Sequence, residues 1–149
     1  MRTTLLFFHI AAAAAWFGAN VTQMVVTPHF AKAGGESAAR WWRATVDMGR
    51  FLYMPASIIV LVTGILLVTT QPAYSFADLF VSIGLLAVVI GVVLGIAVFA
   101  PRGRKAAEFH DRGEAASASS VERAIAGFGA FDTLVLGVTI LAMVSKWGA

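Results

Sequence analysis

Apolar residues are gathered into four stretches along the chain, and each stretch is long enough to cross a lipid bilayer as an α-helix. The stretches cover residues 4–26, 51–70, 78–100 and 125–147. About 20 apolar residues suffice for one crossing. A proline follows each of the first three stretches, at Pro28, Pro72 and Pro101, and proline disfavours helix in the residue before it. The pattern predicts an all-α, four-helix transmembrane bundle that forms one domain over residues 1–149.

The composition supports a membrane protein. Hydrophobic residues make up 59% of the chain and charged residues 13%. Soluble domains carry about 25% charged residues, so lipid must cover part of this surface. The chain contains no cysteine, which excludes disulfides, thiolate metal sites and thiol catalysis. The net charge is only +3, and no basic face for nucleic acid is predicted.

Basic residues are concentrated in two of the three connections between the stretches. Nine of them lie there: Lys32, Arg40, Arg43 and Arg50 in the first connection, and Arg102, Arg104, Lys105, Arg112 and Arg123 in the third. The positive-inside rule assigns these connections to the cytoplasm of a bacterial inner membrane and both termini to the other side. The first residues could also be a secretory signal peptide. Its removal, however, would leave three helices and put one of the basic connections outside.

The two basic connections differ in pattern. Residues 36–50 have helical periodicity, with charged residues on one face and Trp41 and Trp42 suited to a membrane boundary. This segment is interpreted as an interfacial helix that anchors the chain or docks a partner or anionic headgroups. The connection after Pro101 mixes both signs of charge and many small residues. It is predicted to be a solvated, mobile loop with His110 at its surface.

Polar residues recur at helical spacing inside the apolar stretches, and such stripes are expected to face protein rather than lipid. The first helix carries His9, Trp16, Asn20, Gln23 and Thr27. The second carries Arg50, Tyr53, Ser57, Gly64 and Gln71, and the fourth carries Asp132, Thr139, Met143 and Lys146. The third helix instead aligns Gly84, Gly91 and Gly95, small residues that allow a neighbouring helix to approach closely.

Asp132 is the only carboxylate well inside a stretch, and a lone carboxylate in the bilayer is costly. Arg50 enters the second helix from the same side, so an Arg50–Asp132 ion pair is predicted. The pair could fix the register of the helices, or Asp132 could belong to a proton or ion relay together with Asn20 and Gln23.

His9 lies about two turns inside the first stretch, where an imidazole could be a structural hydrogen-bonding group or a ligand of haem iron. Met143 is at a similar depth on the fourth helix. His9 and Met143 are therefore candidate axial ligands of a b-type haem. No histidine-rich or methionine-rich cluster indicates a copper or other metal site.

The segment FFHIAAAAAWFGAN resembles the first helix of a family of small bacterial integral membrane proteins of unknown function. The segments RFLYMPASIIVLVTGILLV, YSFADLFVSIGLLAVVIGVVLGIAVFAPR and FGAFDTLVLGVTILAMVSK extend the resemblance to nearly the whole chain. That family is similar to the membrane domain of copper-resistance D-type proteins and to the four-helix membrane protoporphyrinogen oxidase. The resemblance implies a four-helix bundle and, in some relatives, a haem held by the histidine at the position of His9.

One departure weakens the link to the oxidase. Its relatives carry a lysine deep in a later helix, whereas the only lysine in a stretch here is Lys146, near the outer end. Three functions remain as hypotheses. The first is a non-enzymatic accessory or scaffold subunit that associates with itself or with a larger membrane complex, for which the glycine face of the third helix is the candidate contact. The others are a haem-binding redox or haem-handling protein through His9, and a small proton-coupled transporter that uses Asp132.

Overall fold

The computed structural model describes residues 1–148, and it is entirely helical over that range. Six α-helices follow one another: α1 (Arg2–Ala33), α2 (Gly35–Met48), α3 (Met54–Thr70), α4 (Leu79–Leu94), α5 (Ala100–Asp111) and α6 (Ala115–Ser145). A π-helical turn, Gly49–Tyr53, joins α2 to α3, and a second, Gly95–Phe99, joins α4 to α5. Four continuous rods result, and all four are long and apolar enough to cross a membrane. The predicted all-α bundle with four membrane spans is confirmed.

Large apolar side chains are exposed only along part of each rod. On the four rods this surface ends at Val25, Phe51, Ile96 and Phe128. Within the described chain, no large hydrophobic residue is exposed between residues 26 and 50 or between 97 and 127. The apolar belt on α1, from Leu6 to Val25, is about 29 Å long at 1.5 Å per residue, which matches a hydrocarbon core of about 30 Å.

Residues 26–50 and 97–127, called the head below, continue all four rods beyond this apolar belt. The head has its own small core, in which Trp42 packs against Ala106 and Ala107. The predicted mobile loop after Pro101 is therefore wrong: α5 and the first turns of α6 occupy it, with a short turn between Asp111 and Ala115. The charged residues of its exposed face lower the mean hydropathy of this segment, and its buried face carries small alanines in place of large apolar side chains.

Pro28 and Pro101, which were expected to end helices, lie within the rods. Pro101 stands in the first turn of α5, two residues after a π-helical turn, and Pro55 has the same relation to the other π-helical turn. A proline ring clashes with the carbonyl of the residue four positions earlier, and the wider π turn relieves that clash by adding a residue. α1 runs through Pro28 to Ala33. Only Pro72 follows a helix that ends, at Thr70.

The end of the bundle opposite the head brings both termini and the turn after α3 together. Lys146 Nζ donates to the Tyr74 hydroxyl oxygen at 2.9 Å, and Phe80 N donates to the carbonyl of Trp147 at 3.0 Å. The hydrogen bond from Lys146, with a smaller contribution from Arg2, lowers the pKa of the Tyr74 phenol from its ordinary value. The charges of Arg2 and Lys146 thus lie at one end of the bundle and the nine other basic residues at the opposite end.

Candidate functional site

The polar stripe of α1 lies against the neighbouring helices, and four of its members have a partner there. These hydrogen bonds are His9–Thr63 at 3.0 Å, Asn20–Asp132 at 2.7 Å, Gln23–Tyr53 at 2.9 Å and Thr27–Trp41 at 3.0 Å. The partners come from α3, α6, the first π-helical turn and α2. One face of α1 therefore carries polar contacts along its whole passage through the belt.

Asp132 and Trp16 form the buried centre of this stripe, with exposed fractions of 3% and 4%. Asn20 Nδ2 donates to one carboxyl oxygen of Asp132 at 2.7 Å. The Trp16 indole approaches the same carboxyl group without reaching hydrogen-bond geometry. Trp16 Nε1 and Asp132 Oδ1 are the two buried side-chain polar atoms without a partner over residues 1–148. An orphan donor thus lies close to an orphan acceptor.

Tyr53 extends the centre toward the head. Its hydroxyl oxygen accepts a hydrogen bond from Gln23 Nε2, which also approaches the sulfur of Met48 at 3.8 Å. The Tyr53 ring meets that of Trp16 edge to face, with centroids 6.4 Å apart. The sequence placed Tyr53 on an inward stripe but gave no reason to join it to Gln23, because their contact depends on how α1 packs against the π-helical turn.

The predicted Arg50–Asp132 ion pair is not among the ion pairs within 4.0 Å over residues 1–148. Arg50 is exposed, and its guanidinium lies 5.6 Å from the centroid of the Phe51 ring. The reason is helical phase. The prediction assumed a constant 100° per residue, whereas Arg50 lies within a π-helical turn. Such a turn contains one extra residue, which rotates the preceding residues by about 100° relative to those of α3.

The two candidate haem ligands pack against different helices. His9 Nδ1 lies 3.0 Å from Thr63 Oγ1, and the Thr63 hydroxyl donates its own proton to the carbonyl of Ile59 at 2.5 Å. With the hydroxyl proton so placed, the Thr63 oxygen accepts from the tautomer of His9 that is protonated on Nδ1, and this tautomer has a lone pair on Nε2. Met143, in contrast, packs with α4 and belongs to a cluster around Phe80 and Val81.

Two of the three aligned glycines on the third rod meet a side chain inside the bundle. A Cβ added to Gly91 would overlap the Trp16 ring, and a Cβ added to Gly84 would overlap the end of Met143. A Cβ on Gly95, by contrast, would meet nothing within 4 Å. This face is therefore used within the chain at Gly84 and Gly91, so the suggested glycine contact to a partner is unavailable there.

A second buried polar cluster lies in the head, and the sequence did not reveal it. Glu122 Oε1 accepts from Trp42 Nε1 and from His110 Nε2, each at 2.7 Å, and so ties α2, α5 and α6 together. His110 was predicted to lie at the surface, but only 7% of it is exposed. The available signal was the spacing of Gly103, Ala106, Ala107 and His110, which places four small or polar residues on one buried helix face.

Comparisons of the chain with protein-family models, with curated proteins and with solved structures returned no match.

Proposed function

We propose that this protein is a small multi-pass carrier that couples its activity to a proton held at Asp132. The observation that carries the proposal is the Asp132 carboxyl group, which is buried within the apolar belt with one oxygen unpaired and with no cation within 4.0 Å over residues 1–148. Ionisable groups at such positions mark proton or ion pathways in membrane proteins.

The neighbours of Asp132 favour a neutral carboxylic acid over a carboxylate. Asn20 is an uncharged donor, and the surroundings contain Trp16 and Leu136. A carboxylate without a cation loses far more hydration than these contacts return, so the group is expected to bind a proton. No three acidic or histidine side chains converge anywhere in residues 1–148, which favours a proton over a multivalent metal ion.

A proton could approach this site from the head. The exposed apolar surface of α6 ends at Phe128. Asp132 lies only one helical turn farther along α6, about 6 Å from that end. Gln23 and Tyr53 lie on the same side of the site, toward the head. The nine basic residues at the head end support a cytoplasmic head in a bacterial inner membrane, with both termini outside. In this arrangement Asp132 exchanges its proton with the cytoplasm.

Replacing Asp132 by asparagine is expected to remove the bound proton while the fold persists, because asparagine keeps the shape of the side chain and can still accept from Asn20. In the purified protein at neutral pH, infrared spectroscopy should detect the C=O band of a protonated carboxylic acid. The D132N variant should lack this band. In proteoliposomes with a trapped pH-sensitive dye, D132N should lose the proton movement that the unmodified protein supports.

The matched control is Asp47→Asn, which removes an exposed carboxylate of the head. It should leave the infrared band and the proton movement unchanged. A band that survives in D132N, or that is absent from the unmodified protein, would show that Asp132 does not hold a proton. A band that depends on Asp132, without proton movement in vesicles, would retain the proton site and overturn the carrier.

Binding of haem through His9 is a second candidate, and the orientation of its imidazole favours it. The hydrogen bond from Nδ1 to Thr63 fixes the ring and leaves Nε2 as the ligating atom, as in metal-binding histidines held by an acceptor behind the ring. Gly64 adds to the fit, because a Cβ there would lie 3.2 Å from His9 Cε1. A bound haem would supply one-electron transfer.

The haem candidate predicts a visible absorption spectrum from protein purified from haem-replete cells. The Soret band should disappear in His9→Ala. In Thr63→Val it should persist at reduced occupancy, because the imidazole remains but its orienting acceptor is lost. Met143→Leu serves as the control, since Met143 packs on another helix. A colourless unmodified protein, or a band that does not depend on His9, would eliminate this candidate.

A further inference from the structure

Basic residues of the head fall into two groups according to whether they pair with a carboxylate. The paired group consists of Arg40 with Glu36, Arg43 with Asp111, and Arg112 with Glu108 and Glu114. Along their helices these arginines lie about 12–24 Å beyond the last exposed large apolar residue. Their charges are neutralised within the head, although Arg40 and Arg43 had seemed from the sequence to form the charged face of an interfacial helix.

The unpaired group has no such partners. Lys32, Arg50, Arg102, Arg104, Lys105 and Arg123 form no ion pair within 4.0 Å in the described chain. Three of them lie over aromatic rings instead. The Arg50 guanidinium is 5.6 Å from the centroid of Phe51, that of Arg102 is 5.6 Å from Phe128, and Lys105 Nζ is 5.5 Å from Phe109.

Two of those rings belong to Phe51 and Phe128, the residues at which the apolar belt ends on their rods. Phe51 is 72% exposed and Phe128 is 39% exposed. The headgroup layer extends about 5–8 Å beyond the hydrocarbon on each side of a bilayer. Arg50 directly precedes Phe51, and Arg102 lies against Phe128. Both guanidinium groups are therefore at the depth of lipid phosphates, with their apolar stems along the edge of the belt.

Acidic groups do little to compensate this charge. Glu122 lies at a similar depth but is occupied by Trp42 and His110 inside the head. Asp47 is exposed one turn above Phe51 and is the one remaining carboxylate at this level. Arg50 and Arg102 thus carry an excess of positive charge at the depth of the lipid headgroups.

We propose that Arg50 and Arg102 bind the phosphate groups of anionic phospholipids in the leaflet beneath the head. Guanidinium groups bind phosphate oxygens through paired hydrogen bonds. Aromatic stacking leaves the N–H edges of the guanidinium free for such bonds. The proposal goes beyond the proton site and does not depend on it.

The test compares binding of phosphatidylglycerol and phosphatidylcholine to the full chain in mild detergent, by native mass spectrometry and by the lipid-induced rise in melting temperature. The unmodified protein should retain phosphatidylglycerol selectively and be stabilised by it. Each basic residue near an anionic surface is expected to contribute about a fivefold change in affinity. The R50Q/R102Q variant should therefore bind phosphatidylglycerol about 25-fold more weakly.

The matched control is R40Q/R112Q, which loses the same charge from the paired group and should keep the lipid selectivity. Single R50Q and R102Q variants provide the comparison if the double variant does not fold. Inorganic phosphate at the same concentration should not reproduce the stabilisation. Equal retention of both lipids by the unmodified protein, equal losses in the two double variants, or stabilisation by inorganic phosphate would each overturn the proposal.

Discussion

Replacing Glu122 by alanine is expected to lower the free energy of unfolding of the head by about 3 kcal/mol. One carboxylate oxygen accepts both buried hydrogen bonds, from Trp42 Nε1 and from His110 Nε2. Without it, two buried donors lose their acceptor, and each unsatisfied group costs about 1–3 kcal/mol. The three helices that meet at this residue are otherwise held largely by alanines and by the Trp42 ring, so little else compensates.

Thermal melting followed by far-ultraviolet circular dichroism should reveal this loss, together with faster tryptic cleavage after Arg104 and Lys105. The control is Glu108→Ala, an identical substitution at an exposed ion pair with Arg112. An exposed pair of this kind contributes at most about 1 kcal/mol. Equal melting temperatures for the two variants would contradict the role assigned to the Glu122 cluster.

Replacing Gly91 by alanine should destabilise the membrane bundle by about 2 kcal/mol. The added methyl group would overlap the Trp16 ring. Trp16 is rigid, almost fully buried and packed with Ala12, Ala56 and Leu136, so it cannot move aside without disturbing the contacts around Asp132. The better helix propensity of alanine, about 1 kcal/mol, offsets only part of this cost.

Two further glycines on the same rod provide the comparison for melting temperatures in detergent. Gly95→Ala adds a methyl group into open space and should be neutral. Gly84→Ala meets only the flexible end of Met143 and should have an intermediate effect. The expected order of destabilisation is therefore Gly91, then Gly84, then Gly95. A Gly91→Ala protein as stable as Gly95→Ala would refute the close packing of Trp16 against α4.

The sequence was sufficient for the four membrane spans, because about 20 consecutive apolar residues leave few alternatives in a chain with so little charge. It was also sufficient for the polar face of α1. Each of His9, Asn20 and Gln23 requires a partner in the bilayer, and helical periodicity then determines the side on which that partner lies. These predictions depend on local spacing alone.

Predictions that depended on helix continuity failed. Pro28 and Pro101 were interpreted as helix ends, but α1 runs through Pro28 and a π-helical turn carries the third rod past Pro101. The other π-helical turn changed the phase that had placed Arg50 beside Asp132. The head was missed because its core consists of alanines and a buried glutamate. Such a core produces no helical repeat of large apolar residues in the sequence. Partners such as Thr63 and Glu122 are determined by packing between helices distant in sequence.

The length of the apolar belt has a consequence for the bilayer itself. On α6 the exposed apolar surface runs from Phe128 to Val144, about 24 Å, and on the third rod from Leu79 to Ile96, about 26 Å. Both are shorter than a hydrocarbon core of about 30 Å. This hydrophobic mismatch is relieved when the membrane thins around the protein. The protein is thus suited to thinner membranes, and in thicker ones it should gather short-chain lipids around its fourth rod.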